Sequence, residues 1–143
     1  MNKPIETKEL SQVVVRFSGD SGDGMQLAGN IFSTISATVG NGISTFPDYP
    51  ADIRAPQGSL TGVSGFQVHI GEGRVYTPGD QCDVLVAMNA AALKTQYRYA
   101  KPQATIIIDT DAFEANDLKK AQFETDDYLA EMNIDPDPSF NAR

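Results

Sequence analysis

The sequence predicts one α/β domain with a Rossmann-like, mostly parallel sheet, helices on both faces and an added β-hairpin. A β-branched strand leads through a glycine-rich turn into an amphipathic helix, and two further short apolar strands follow later in the chain. The length of 143 residues, 41% of them hydrophobic, is enough for one buried core. We expect this domain to cover residues 12–143, preceded by a polar, flexible lead-in over 1–11. We also expect it to be incomplete at the C-terminus, because the final residues have no core pattern.

The first unit is a strand, a tight turn and a helix. Gln12–Ser18 is a β-branched run that predicts a buried strand. After the turn, Asp23 is predicted to cap the helix and Gly40 to end it in the left-handed conformation. The helix itself is predicted from apolar residues at helical spacing, namely Leu27, Ala28, Ile31, Phe32, Ile35 and Val39.

The middle of the chain predicts two strands separated by a long loop. Gly42–Phe46 is a plausible second strand, and Pro47–Gly58 is predicted to be a loop because its prolines fix φ and remove backbone donors. Phe66–Ile70 alternates apolar and polar residues, which indicates a half-buried strand. Gly71–Gly73 is predicted to turn that strand back into Arg74–Tyr76, forming a β-hairpin.

The last third predicts two more strands of the parallel type. Val84–Met88 is a short buried strand, followed by Asn89 and a helix. Ala104–Ile108 is the final clear strand, and Asp111–Leu129 is a weaker, acidic helical stretch.

Charge and cysteine content exclude several kinds of function. The net charge is -8, of which residues 1–108 contribute -1 and residues 109–143 contribute -7. Nucleic acids and anionic membrane surfaces require basic footprints, so neither is an expected partner. A single cysteine, Cys82, excludes an internal disulfide, an iron–sulfur cluster and a structural zinc site held by this chain alone, and it favours a cytoplasmic location.

The glycine-rich turn is the strongest local motif. Ligands of parallel α/β sheets bind beyond the carboxyl ends of the strands, where Gly19–Gly24 joins strand to helix. The dinucleotide fingerprint is not met because Ser21 stands at its middle glycine, and the loop has no P-loop ending. Asp20 and Asp23 also bring negative charge to the place where a phosphate would lie. Both a structural turn and a ligand-contacting loop remain consistent with these residues.

Other candidates are single residues. Arg54, the only basic residue between Arg16 and Arg74, could bind a carboxylate or phosphate in two-pronged fashion, or form a surface salt bridge to Asp48 or Asp52. For each remaining candidate we favour a structural interpretation: a solvent-facing His69, a buried or half-buried thiol at Cys82, and capping roles for Asn89 and Asp109. For Asn89, ligand contact remains the alternative. No triad, metal cluster or paired catalytic carboxylates can be identified.

Three ordered motifs carry a resemblance to a known family. Arg16–Gly29 is similar to the opening of the γ domain of pyruvate and 2-oxoacid:ferredoxin oxidoreductases. Pro50–His69 and Asp83–Lys94 resemble the version fused at the N-terminus of the 2-oxoglutarate:ferredoxin oxidoreductase α subunit. The resemblance covers roughly residues 12–130.

The resemblance implies coenzyme A-dependent oxidative decarboxylation of a 2-oxoacid, with ferredoxin as the electron acceptor. In that family, thiamine diphosphate and Mg²⁺ are held by other domains, and iron–sulfur clusters lie on partners. The chain alone is then expected to be inactive, with no catalytic residue of its own. Two alternatives remain: a non-catalytic assembly module that bridges subunits, and an independent nucleotide-binding protein. By motif match, the positions expected to face the coenzyme A and thiamine diphosphate junction are Gly19, Asp20, Ser21, Gly22, Asp23, Gly24, Arg54 and Asn89.

Overall fold

The computed structural model describes residues 9–20, 23–48 and 63–135 and shows an α/β fold around one five-stranded mixed sheet. The strand order across the sheet is β2-β3-β1-β4-β5. The strands are β1 (Gln12–Asp20), β2 (Gly42–Asp48), β3 (Val63–Gly71), β4 (Cys82–Ala87) and β5 (Ala100–Ile108). The helices are α1 (Met25–Thr38), α2 (Ala90–Gln96), α3 (Ala115–Lys120) and α4 (Tyr128–Glu131).

One half of the sheet is parallel, as the sequence predicts. β1 pairs in parallel with β4, with Phe17 opposite Val86, and β4 pairs in parallel with β5, with Val86 opposite Ile107. Each of these strands feeds a helical segment. The carboxyl ends of the three strands therefore lie along one edge of the sheet.

The other half is antiparallel, which corrects three predictions. β3 pairs with β1 along its whole length, from Gln12 opposite Gly71 to Asp20 opposite Val63, and its other edge pairs with β2. The sheet is therefore mixed and not mostly parallel. The predicted hairpin onto residues 74–76 is wrong, since those residues are not in a strand and both edges of β3 are already occupied. With a strand paired on each of its edges, β3 is also almost fully buried and not half-buried.

Two apolar clusters lie on the two faces of the sheet, because successive side chains of a strand point to opposite sides. On one face, Val14 and Leu85 pack with α2 and with Leu118 of α3. On the other, Phe17 and Val68 pack against Met25 of α1. Each fully buried side chain of this size contributes about 1.5–3 kcal/mol. These two clusters hold α1 on one face of the sheet, and α2 and α3 on the opposite face.

Helix α1 begins and ends at glycines. Gly24 is its N-cap with φ 81°, and Gly40 follows its end with φ 93°, as predicted. The predicted cap at Asp23 is wrong, because no side chain caps this helix. Gly29 brings the helix close to the sheet: a Cβ added there would lie 2.3 Å from Cδ1 of Phe66.

The acidic stretch after β5 forms short pieces and not one long helix. A 3-10 turn over Thr110–Ala112 precedes α3, and Gln122 then breaks the helical path with φ 63°. Aromatic contacts attach this region to the core, with Tyr128 4.6 Å from Phe113 between ring centroids. In the described residues, no helix is both long and apolar enough to cross a bilayer.

Candidate functional site

A shallow cleft of about 460 Å³ opens at the carboxyl ends of β4 and β5. This is the edge of the sheet at which a parallel α/β fold places its ligands. Most of the side chains that line this cleft are apolar, and two are carboxylates, Asp23 and Asp109. The lining residues are Asp23, Val86, Ala87, Met88, Ile107, Ile108, Asp109 and Ala112.

Asp23 fastens the glycine-rich turn to the turn that follows β4. Its Oδ2 accepts a hydrogen bond of 3.0 Å from the backbone N–H of Asp20 and one of 2.9 Å from Nδ2 of Asn89. Gly19 allows this close approach, since a Cβ there would lie 3.1 Å from both Oδ2 of Asp23 and Cβ of Met88. Asp23 therefore holds two loops together in place of capping α1.

Asn89 has two structural partners. Its Oδ1 accepts a hydrogen bond of 2.7 Å from the N–H of Ala92, which confirms the predicted N-cap of α2. Its Nδ2 donates to Asp23. Because both ends of the amide have partners, a ligand contact by this side chain would have to share or replace one of these bonds.

The edge of the sheet at the cleft carries acidic side chains, namely Asp20, Asp23 and Asp109. Burial and the neighbouring Asp23 raise the pKa of Asp20, and a hydrogen bond from Asn89 partly opposes that rise. Asp109 caps the turn after β5, with Oδ1 accepting from the N–H of Asp111 at 3.1 Å, as predicted. Among the described residues that line the cleft, none is basic. The described part of this edge suits hydroxyl and N–H donors better than phosphates.

The structure brings some of the predicted site residues together. Asp20, Asp23 and Asn89 form one hydrogen-bonded unit beside Gly19, and Gly24 begins α1 next to them. The predictions for Ser21, Gly22 and Arg54 lie outside the described residues. Within those residues, no three His, Cys, Asp or Glu side chains are grouped to hold a metal ion.

A buried arginine forms a second polar centre, which the sequence analysis missed. Arg16 lies in the middle of β1 and is 3% exposed. Its Nε donates to Oε1 of Gln96 at 2.8 Å, its Nη1 to Oε1 of Gln67 at 3.0 Å, and its Nη2 to Oδ2 of Asp48 at 2.5 Å. The ring of Tyr99 lies 4.1 Å from the guanidinium carbon.

This guanidinium crosses from β1 over β3 to the end of β2. A Cβ added at Gly65 would lie 2.7 Å from Nη2 of Arg16, so the glycine leaves room for the crossing. Gln67 in turn donates to the carbonyls of Pro78 and Gly79 at 2.8 and 2.6 Å. The sequence did contain one signal, a single charged residue inside an apolar strand. A buried arginine needs partners for all its donors, so such a residue indicates a polar network around it.

His69 and Cys82 are structural, and His69 is more enclosed than predicted. Its Nδ1 lies 2.6 Å from the carbonyl of Thr77 and its Nε2 lies 3.0 Å from Oε1 of Gln12, so the ring is half-buried and not simply solvent-facing. Cys82 is fully buried, as predicted, and this burial raises the pKa of its thiol.

Comparison with known proteins finds oxidoreductases both by family model and by sequence similarity. The model of the pyruvate ferredoxin/flavodoxin oxidoreductase family matches residues 14–136. The 2-oxoglutarate oxidoreductase subunit KorA of Mycobacterium tuberculosis is 47% identical over 120 residues, which are 84% of this chain and 18% of that protein. The chain thus spans less than a fifth of the length of this curated relative.

Solved structures with the same fold include two relatives above 25% identity. A 2-oxoglutarate:ferredoxin oxidoreductase from Magnetococcus marinus, with 2-oxoglutarate, coenzyme A and succinyl-CoA bound, matches at 26% identity and a TM-score of 0.59. The match covers 71% of this chain and 17% of that one. The γ subunit of a keto/oxoacid ferredoxin oxidoreductase from Geobacter sulfurreducens matches at 27% identity and a TM-score of 0.56, covering 70% of this chain and 52% of that one.

Proposed function

We infer the function of this chain from its ancestry: it belongs to the pyruvate ferredoxin/flavodoxin oxidoreductase family, as a domain of the γ type. We propose that it is the γ portion of a 2-oxoglutarate:ferredoxin oxidoreductase, within residues 12–143. We choose 2-oxoglutarate as the oxoacid because the chain is 47% identical to a 2-oxoglutarate oxidoreductase subunit over 84% of its length. We further propose that this Rossmann-like domain works in the cytoplasm with ferredoxin as acceptor.

The described residues of this chain do not fit the cofactors that perform the chemistry. Thiamine diphosphate is held through Mg²⁺, and the described residues offer no cluster of oxygen ligands for that ion. Iron–sulfur clusters need several thiolates, and the single cysteine is buried in the core. The proposal therefore assigns thiamine diphosphate, Mg²⁺ and the clusters to other domains or subunits, and it assigns no catalytic residue to this chain.

The proposed role at the junction is to shape the approach of coenzyme A. Asp20 and Asp23 repel phosphate from the described part of the edge, whereas their oxygens accept hydrogen bonds from hydroxyl or amide groups. Arg54 is the candidate for a phosphate contact, because a guanidinium binds phosphate with paired hydrogen bonds. The proposed junction residues are Gly19, Asp20, Ser21, Gly22, Asp23, Gly24, Arg54 and Asn89.

The test uses the assembled oxidoreductase and its reduction of a dye in the presence of 2-oxoglutarate and coenzyme A. We expect the isolated chain to be inactive with added thiamine diphosphate, and the assembly to be active. Arg54→Ala should raise the KM for coenzyme A while leaving the KM for 2-oxoglutarate unchanged, and Arg74→Ala, at an exposed arginine outside the proposed junction, serves as the control. Turnover by the isolated chain would contradict the proposal that its chemistry lies elsewhere.

An assembly module without ligand contacts is the second candidate, and one observation favours it. Helix α1 exposes apolar side chains at regular spacing, as an interface helix does. In the same assay, an unchanged KM for coenzyme A in Arg54→Ala would favour this candidate over a junction with the coenzyme.

A further inference from the structure

The outer side of α1 is apolar where a surface helix is normally charged. Leu27, Ile31 and Ile35 are 64%, 51% and 59% exposed, and Val39, the residue after the helix, is 72% exposed. Their spacing of four residues places them in one line along the helix. We call Leu27, Ile31, Ile35 and Val39 the α1 apolar face.

Neither charge nor packing among the described residues explains this face. The 14 residues of α1 include no charged side chain, although the protein carries a net charge of -8. The sheet-facing side of the helix is already satisfied by Met25, Gly29 and Ser36, which are buried. Depletion of charge around exposed aliphatic residues marks the centre of a protein interface.

The area of the α1 apolar face distinguishes between two candidate partners, a second copy of this chain and another domain of the same assembly. A helix of 14 residues is about 21 Å long and about 10 Å wide, so its outer side offers on the order of 200 Å² in projection. A stable free dimer needs about 800 Å² from each partner. The α1 apolar face is therefore too small to hold a second copy by itself, but it suits one patch of a contact between domains that are held together by other means.

We propose that the α1 apolar face packs against an apolar, uncharged surface of the catalytic part of the same oxidoreductase. This inference rests on the proposed function. The relatives supply the partner: in the Mycobacterium tuberculosis and Magnetococcus marinus proteins the matching region is 18% and 17% of a single chain, so most of that chain is available as a neighbour. The acidic remainder of this domain would then stay in solvent.

Cysteine accessibility tests the proposal. Ile31→Cys is labelled with a maleimide in the isolated chain and in the assembled oxidoreductase, while the native Cys82 is buried and gives a low background. We expect labelling at position 31 to slow by at least about tenfold on assembly, because a buried thiol reacts only through local opening. Leu10→Cys and Tyr76→Cys, at side chains outside α1 that are 52% and 81% exposed, serve as controls and should change little.

The outcomes of the labelling experiment distinguish between the candidate partners of the α1 apolar face. Equal labelling of Ile31→Cys in both samples, with the assembly active, overturns the docking face while the proposed function stands. Protection of Ile31→Cys from labelling that already exists in the isolated chain also overturns the docking face. If this protection depends on protein concentration, a second copy covers the face; if it does not, another segment of the same chain covers it. If no active assembly forms, the proposed function fails and the docking face fails with it.

A second variant tests the same face by affinity. The triple substitution Leu27→Gln, Ile31→Gln and Ile35→Gln keeps residues of good helix propensity at exposed positions. We expect unchanged helical circular dichroism and at least about a tenfold weaker association with the catalytic part, since interface centres carry most of the binding energy. Unchanged association would overturn the proposal.

Discussion

Replacing Arg16 by methionine should strongly destabilise the domain. Methionine has a similar length and is apolar, so it fills the space of the side chain without supplying a donor. The Oε1 atoms of Gln67 and Gln96, in residues only 2% and 7% exposed, would each lose the bond from the guanidinium. Asp48 would lose its partner as well, but it is 37% exposed and water can replace that bond.

The magnitude follows from these partners. An orphaned buried amide oxygen costs about 1–3 kcal/mol, and an ion pair whose carboxylate is accessible to water contributes about 0–1 kcal/mol. Two orphaned oxygens and the ion pair together give an expected loss for Arg16→Met of about 2–7 kcal/mol, with a central value of about 4 kcal/mol. At about 3–4 °C per kcal/mol for a chain of this size, a loss of about 4 kcal/mol lowers the Tm by roughly 12–16 °C.

Urea unfolding of the 143-residue chain, followed by circular dichroism, measures this loss. Arg74→Met removes an exposed arginine and is the matched control, with an expected change within about 0.5 kcal/mol. In a Gln96→Met background, the cost of Arg16→Met should shrink by about 1–3 kcal/mol, because one orphaned oxygen is already gone. A loss below about 1 kcal/mol for Arg16→Met, or one equal to that of the control, would refute the reasoning.

Three further predictions concern other contacts. Gly29→Ala should destabilise the chain by about 1–2 kcal/mol in urea unfolding, because overpacking against Phe66 exceeds the gain in helix propensity; a more stable variant would contradict this. Asn89→Ala should lower the free energy of unfolding by about 1–2 kcal/mol, through loss of the α2 cap and the bond to Asp23. Asn89→Asp, which keeps a capping oxygen but repels Asp23, should lie between it and the wild type. Burial alone raises the pKa of Asp83, but hydrogen bonds from the Val14 N–H and from Lys101 outweigh it, and the net pKa is lowered from 3.8. The stability contributed by Asp83 should thus be present at neutral pH and disappear as pH falls through the lowered pKa, so that thermal melts of wild type and Asp83→Asn differ at pH 7 and converge in acid.

Local patterns predicted the elements whose cause is local. The β-branched run of β1, the four-residue spacing in α1 and the cap at Asn89 depend on neighbours in sequence, and all three predictions are confirmed. The pairing of β3 depends on residues far along the chain, which explains why a hairpin to the next apolar residues was expected and was wrong.

Long-range polar contacts could not be predicted for the same reason. Arg16 reaches partners 32, 51 and 80 residues away, and no pattern around it in the sequence points to them. Asp23 has the position of a helix cap, but Asn89, 66 residues away, offers a competing donor for its carboxylate. The grouping of Asp20, Asp23 and Asn89 was expected from the motif match, and from the rule that parallel strands end at the same edge of a sheet.

The most direct test of the central claim is reconstitution of the 2-oxoglutarate:ferredoxin oxidoreductase with and without this chain. Coenzyme A-dependent reduction of ferredoxin by 2-oxoglutarate is the measured quantity. We predict that the catalytic part alone is inactive or strongly impaired and that adding the chain, as its γ portion, restores turnover. Equal turnover with and without the chain would contradict the account.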